Sequence, residues 1–134
     1  MPAGPSVIGF GAFVAVKFIG YSCAAMILNK AYKTPVNPWK VGAVRTIIGL
    51  AAGATYWGAW SLYASNPSTT AWFLGLLPIR LLEWGALIRM FYDSTWLGNS
   101  SSWKYSYVGT ACSYGLDVIG VLAAFVIPGG LWVC

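Results

Sequence analysis

The stretch Ala71-Trp-Phe-Leu-Gly-Leu-Leu-Pro78-Ile-Arg80-Leu-Leu-Glu83-Trp-Gly-Ala-Leu-Ile-Arg89-Met-Phe-Tyr92 decides the reading of this chain. It is mostly apolar, and as a helix it is long enough to cross the hydrocarbon of a bilayer. Yet Arg80 and Glu83 sit near its middle, and Arg89 lies close to its end. A charged side chain at mid-depth costs roughly 2.5 to 3.5 kcal/mol on insertion scales, so such groups need partners.

Partners of the right kind occur at the centres of two other apolar runs. Residues 7–28 carry Lys17 in their middle, and residues 106–127 carry Asp117. If the spans rise equally, Lys17, Arg80 and Asp117 fall within about one turn of the midplane, and Glu83 lies ~4.5 Å from Arg80 along the axis. Two positive and two negative groups then sum to zero at one depth. The preferred pairing is Arg80 with Asp117 and Lys17 with Glu83. The swapped pairing and an Arg80–Glu83 pair within one helix, three residues apart, remain open.

The composition agrees with a membrane protein. Of 134 residues, 58% are hydrophobic and only 8% are charged, against about 25% charged in soluble domains. The net charge of +5 does not point to nucleic acid, because the basic residues lie beside or inside apolar runs and form no soluble patch. The sequence has no histidine, which removes the commonest metal ligand and the commonest general base. Cys23, Cys112 and Cys134 form no C-x-x-C pair, so neither a zinc site nor a dithiol site is indicated. No cofactor is expected.

The fold predicted from these observations is an all-α integral membrane protein, a four-transmembrane-helix bundle forming a single domain. Its spans lie at about 7–28, 39–63, 71–92 and 106–127. The first apolar run has no basic segment before it and no small-residue cleavage pattern after it, so it is read as a retained span and not a signal peptide. Pro2 and Pro5 disfavour helix ahead of it. Asn37 and Pro38 fit the cap and first residue of the second helix. Arg45, further in, is expected to snorkel back to the interface. Pro78 is expected to kink the third span. Tyr56, Trp57, Trp60 and Tyr63 read as an aromatic belt, with Trp96 and Trp103 near the other membrane surface. Pro128-Gly129-Gly130 closes the fourth span.

Two helix faces carry small residues that let neighbouring helices approach. One is Gly49-x-x-x-Gly53, in line with Gly42 and Thr46. The other is Ser106, Thr110, Ser113, Asp117, Gly120 and Ala124, small or polar at each helical step. The basic residues Lys30, Lys33, Lys40 and, nearby, Arg45 flank the first loop, and Arg89 and Lys104 flank the third. Cytoplasmic loops are the basic ones, so both termini are expected to be non-cytoplasmic, in a plasma or bacterial inner membrane. Asn99-Ser100-Ser101 matches a glycosylation acceptor, but this orientation places it in the cytoplasm.

Three functional readings follow. The first is a non-catalytic accessory or assembly subunit of a larger membrane complex, with lipid and other membrane subunits or copies of itself as partners. There the charge quartet fixes which helix meets which, with little net stability. The second is a small oligomeric transporter of an ion, proton or solute, in which Glu83 or Asp117 faces water. The third, an intramembrane enzyme, would need Cys23 or Cys112 as a nucleophile with Asp117 or Glu83 as a base, and nothing in the sequence activates those thiols. The first is preferred, and no enzymatic activity is expected.

Overall fold

The computed structural model describes residues 7–63, 65, 68–124 and 126. It is an all-helical protein with four long helices: α1 (Val7–Tyr32), α2 (Pro38–Tyr63), α3 (Thr69–Phe91) and α4 (Ser100–Ala124). Among the described residues there is no strand. The expectations for residues 1–6, for the end of the fourth span at 127 and for the closing Pro128-Gly129-Gly130 lie outside the described residues.

Local chemistry sets the helix ends. α1 runs on to Tyr32 and stops where Lys33 takes a positive φ of 54°. The amide of Thr34 then donates to the carbonyl of Asn29 at 3.1 Å, closing the turn in the manner of a Schellman cap. The Asn37 side-chain oxygen accepts the amides of Trp39 and Lys40 at 3.0 and 3.4 Å, and Pro38 is the first helical residue, as the sequence predicts. α4 begins at Ser100, six residues ahead of the predicted 106. There Asn99 acts as the cap, its side chain accepting the Ser101 amide at 3.0 Å. Apolarity begins near residue 106, and the capped helix extends beyond its apolar part.

α3 continues through Pro78. The proline leaves the Leu74 carbonyl without an amide donor. Nearby, tyrosine hydroxyls from the adjoining helices donate to α3 carbonyls, Tyr56 to Trp72 at 3.2 Å and Tyr114 to Phe73 at 2.7 Å.

Among the described residues each helix packs on two others, in the closed order α1, α2, α3, α4 and back to α1. The α1–α2 and α3–α4 connections lie at the same end. Tyr32 stacks on Tyr92 there and meets Tyr105 at a tilt, with ring centres 5.3 and 5.1 Å apart, and the Tyr92 hydroxyl donates to Asn29 at 2.7 Å. The apolar core, with Tyr21, Ala25, Leu28, Val41, Trp84 and Leu87, fills the half of the bundle next to these tyrosines.

Glycines permit close packing, Gly42 and Gly109 among them. At Gly42 the helices α1 and α2 nearly touch, and a β-carbon would stand 2.1 Å from Ser22 Oγ and 3.1 Å from the Phe18 carbonyl oxygen. At Gly109 of α4 a β-carbon would stand 2.3 Å from the indole of Trp84, which is almost wholly buried.

The distribution of polarity is inverted relative to a soluble protein. The buried side chains include Lys17, Arg45, Arg80, Glu83 and Asp117, while Ile27, Ile47, Leu74 and Leu122 are all more than 60% exposed. Two helices, α1 and α3, are long and apolar enough by themselves to cross a membrane. Among the polar residues of α2 and α4, Arg45, Thr46, Ser102, Ser106, Thr110, Ser113 and Asp117 are buried inside the bundle.

Candidate functional site

Three of the helices contribute pairs of residues about one turn apart, which stack the buried charges in two adjoining layers. α1 supplies Lys17 and Tyr21, α3 supplies Arg80 and Glu83, and α4 supplies Asp117 and Ser113. Spacings of three or four residues put both members of each pair on the inward face, ~5 Å apart along the axis.

In the first layer the Asp117 carboxylate lies between two cations. Lys17 Nζ stands 2.5 Å from Oδ1, and Arg80 Nη2 pairs with Oδ2. The Arg80 guanidinium also rests on the ring of Tyr114, 4.4 Å from its centre. In the second layer Arg45 of α2 enters the bundle and its Nη2 lies 2.7 Å from Glu83 Oε2. Its guanidinium is held between the rings of Tyr21 and Trp84, at 4.7 and 5.1 Å from their centres. Aromatic faces offset part of the loss of water around a cation.

Ser113 joins the layers. Its hydroxyl oxygen accepts Trp84 Nε1 at 2.9 Å, Arg45 Nη2 at 3.3 Å and the Tyr21 hydroxyl at 3.3 Å. Tyr21 in turn receives Lys17 Nζ at 3.4 Å. One turn and two turns towards the basic end, Thr110 and Ser106 donate to carbonyls of their own helix, and Ser106 accepts Trp96 Nε1 at 2.9 Å.

Several sequence-based expectations need correction here. Arg45 does not snorkel: it is 1% exposed and belongs to the cluster. It stands seven residues inside α2 and Glu83 stands eight residues inside the end of α3, and these two helix ends share the basic side of the bundle, so the two groups meet at one depth. The pairing of Lys17 with Glu83 is not formed. Lys17 is level with Asp117, whose two oxygens serve both Lys17 and Arg80, and Glu83 is left to Arg45. The quartet of Lys17, Arg80, Glu83 and Asp117 is therefore a quintet carrying three positive and two negative groups. Trp96 is buried inside the protein against Gly85, which leaves its expected depth near the membrane surface untouched. Gly49 does not bring a neighbouring helix close. A β-carbon there would stand 3.0 Å from Arg45 Nη1, so its role is to leave room for that guanidinium.

The other expected packing residues, Gly53, Ser106, Thr110, Ser113 and Gly120, are all buried. The structure adds Tyr21, Trp84 and Arg45 to the site. The signal available for Arg45 was its place on the same face as Gly42, Thr46 and Gly49. Cys23 is exposed and Cys112 half-buried, both as free thiols. No group of three or more potential metal ligands occurs among the described residues. No protein-family model, curated protein or solved structure matches the chain.

Proposed function

We propose that this protein is a four-span integral membrane protein that serves as a non-catalytic accessory or assembly subunit of a larger membrane complex. The observation that carries the reading is the cross-bracing by the buried charges. Lys17–Asp117 ties α1 to α4, Arg80–Asp117 ties α3 to α4, and Arg45–Glu83 ties α2 to α3. Pairs of this kind add little net stability but penalise every wrong register, because a slipped helix would strand a charge in an apolar interior. The result is a bundle of fixed shape with an apolar exterior, suited to present constant faces to neighbouring helices.

The membrane part of the reading rests on the inverted polarity. α2 and α4 cross the bilayer together with α1 and α3, because their polar side chains turn inward and residues such as Ile47, Val118 and Leu122 turn outward. The end bearing Lys30, Lys33, Lys40, Arg89 and Lys104 faces the cytoplasm, which leaves both termini on the other side.

The test is purification from the native membrane in mild detergent, followed by mass determination and identification of the co-purifying chains. A stoichiometric set of other membrane proteins is the expected result. A homo-oligomer without partners would overturn the subunit reading in favour of transport, to be followed by flux measurements on Glu83 and Asp117 variants.

A further inference from the structure

All five basic side chains outside the core, Lys30, Lys33, Lys40, Arg89 and Lys104, lie at one end of the bundle and are exposed. The segments that run to the other end contain no charged side chain. The one acid beside the five cations, Asp93, has its oxygens engaged within its own loop by Thr95, Asn99 and Ser102. Among the described residues every ion pair lies in the core. This rim therefore offers five positive groups against one negative group. Three of the cations, Lys30, Lys33 and Lys40, surround the connection between α1 and α2, which is braced from within. The Asn29 side chain donates to the Val36 carbonyl at 2.5 Å, and the Thr34 hydroxyl donates to the Tyr32 carbonyl at 3.1 Å. A braced segment loses little freedom on binding.

The surroundings of the cations select the partner. Four of them stand within one helical turn of a large apolar side chain that is more than half exposed. These are Ile27 near Lys30, Trp39 beside Lys40, Met90 beside Arg89, and Val108 near Lys104. A polynucleotide or an acidic protein segment would meet the charges and leave the apolar neighbours unmatched. An anionic phospholipid matches both. Its phosphate accepts from ammonium and guanidinium groups, and its acyl chains cover the apolar side chains on the hydrocarbon side of each cation. Basic clusters just outside membrane spans are drawn to anionic leaflets in this way.

We infer that the basic rim is a binding surface for phospholipids whose head groups carry net negative charge, and that the uncharged end has no such preference. The inference rests on the membrane part of the reading above and goes beyond its subunit part.

The test uses the full chain in a mild, uncharged detergent. Phosphatidylglycerol or phosphatidylcholine with the same acyl chains is added, and retained lipid is counted by native mass spectrometry. Phosphatidylglycerol is expected to be retained about tenfold more strongly or better, with several molecules per chain. The preference should shrink in ~1 M salt, which screens exposed charges. The triple variant Lys30→Gln, Lys33→Gln, Lys40→Gln alters only exposed side chains outside the core and should lose most of the preference without a change in Tm in detergent alone. Soluble polyglutamate should not displace the lipid. Equal retention of the two lipids would overturn the inference and leave the membrane reading standing. So would an unchanged preference in the triple variant. Displacement by polyglutamate would assign the rim to an acidic protein partner and overturn it as well. A chain that stays monodisperse without detergent would overturn the membrane reading, and this inference with it.

Discussion

Arg45 of α2 meets Glu83 of α3 at 2.7 Å, with both side chains withdrawn from solvent, and this is the ion pair that joins the two halves of the bundle across α2 and α3. Asp117 performs the equivalent task for α1, α3 and α4 in the neighbouring layer. The two acids differ in how many cations each holds, one for Glu83 and two for Asp117.

That difference orders the expected effects of removing them. Glu83→Gln strands Arg45, and a buried charge deprived of its partner typically costs about 3 to 5 kcal/mol. Asp117→Ala strands Lys17 and Arg80 together and should be the more damaging of the two. Replacing both members of the other pair, Arg45→Met with Glu83→Leu, should recover most of the loss, because well-packed apolar residues substitute for a buried pair at little or no cost. Unfolding of the four proteins in detergent measures this. A double variant as unstable as Glu83→Gln alone would show that the pair is not the source of the effect.

Gly109 and Gly115 lie on α4 and should respond oppositely to the same substitution. A methyl group at Gly109 would press on the buried indole of Trp84, while at Gly115 it would meet nothing within 4 Å. Gly109→Ala should lose about 1 to 3 kcal/mol through overpacking. Gly115→Ala should be neutral or gain up to ~1 kcal/mol, since alanine loses less backbone entropy than glycine in a helix. Melting temperatures of both variants decide the matter.

Asp93 gives the loop between α3 and α4 a dependence on acid. Hydrogen bonds from Ser102 first, then from the Thr95 hydroxyl and amide and from Asn99, hold its carboxyl down at about 2. An unfolded aspartate titrates near ~3.9. The folded value is the lower one, so its contribution is present above pH ~4 and is lost as the pH falls from there towards 2. Asp93→Asn should therefore be less stable than the parent at neutral pH, and the gap should close on acidification. Melting curves between pH 6 and pH 2, on the scale set by that linkage, would show a constant gap if Asp93 had no such role.

Orientation is open to labelling. In a background without Cys23, Cys112 and Cys134, single cysteines at the exposed positions Ser65 and Ser100 report opposite ends of the bundle. A reagent that cannot cross the membrane should reach position 65 from outside and miss position 100. The reverse pattern would invert the topology and place the basic loops outside.

Much of this protein is decided by its sequence alone. The four apolar runs, the capping signal at Asn37-Pro38 and the inward face of α4 from Ser106 to Gly120 are local patterns, and local patterns survive without knowledge of what surrounds them. Lys17, Arg80, Glu83 and Asp117 were legible for the same reason, since each is a charge at the middle of an apolar segment. Which charge meets which was not legible. Depth along a helix is known from the sequence only to about a turn, and adjacent layers are separated by no more than that. Arg45 shows the limit most clearly. Two turns from Pro38 it can in principle reach water, and only the packing of Tyr21 and Trp84 around it, with the space left by Gly49, turns it inward. The sequence determined that charges must be buried and paired; the packing of four helices decided that there are five of them and that their sum is positive.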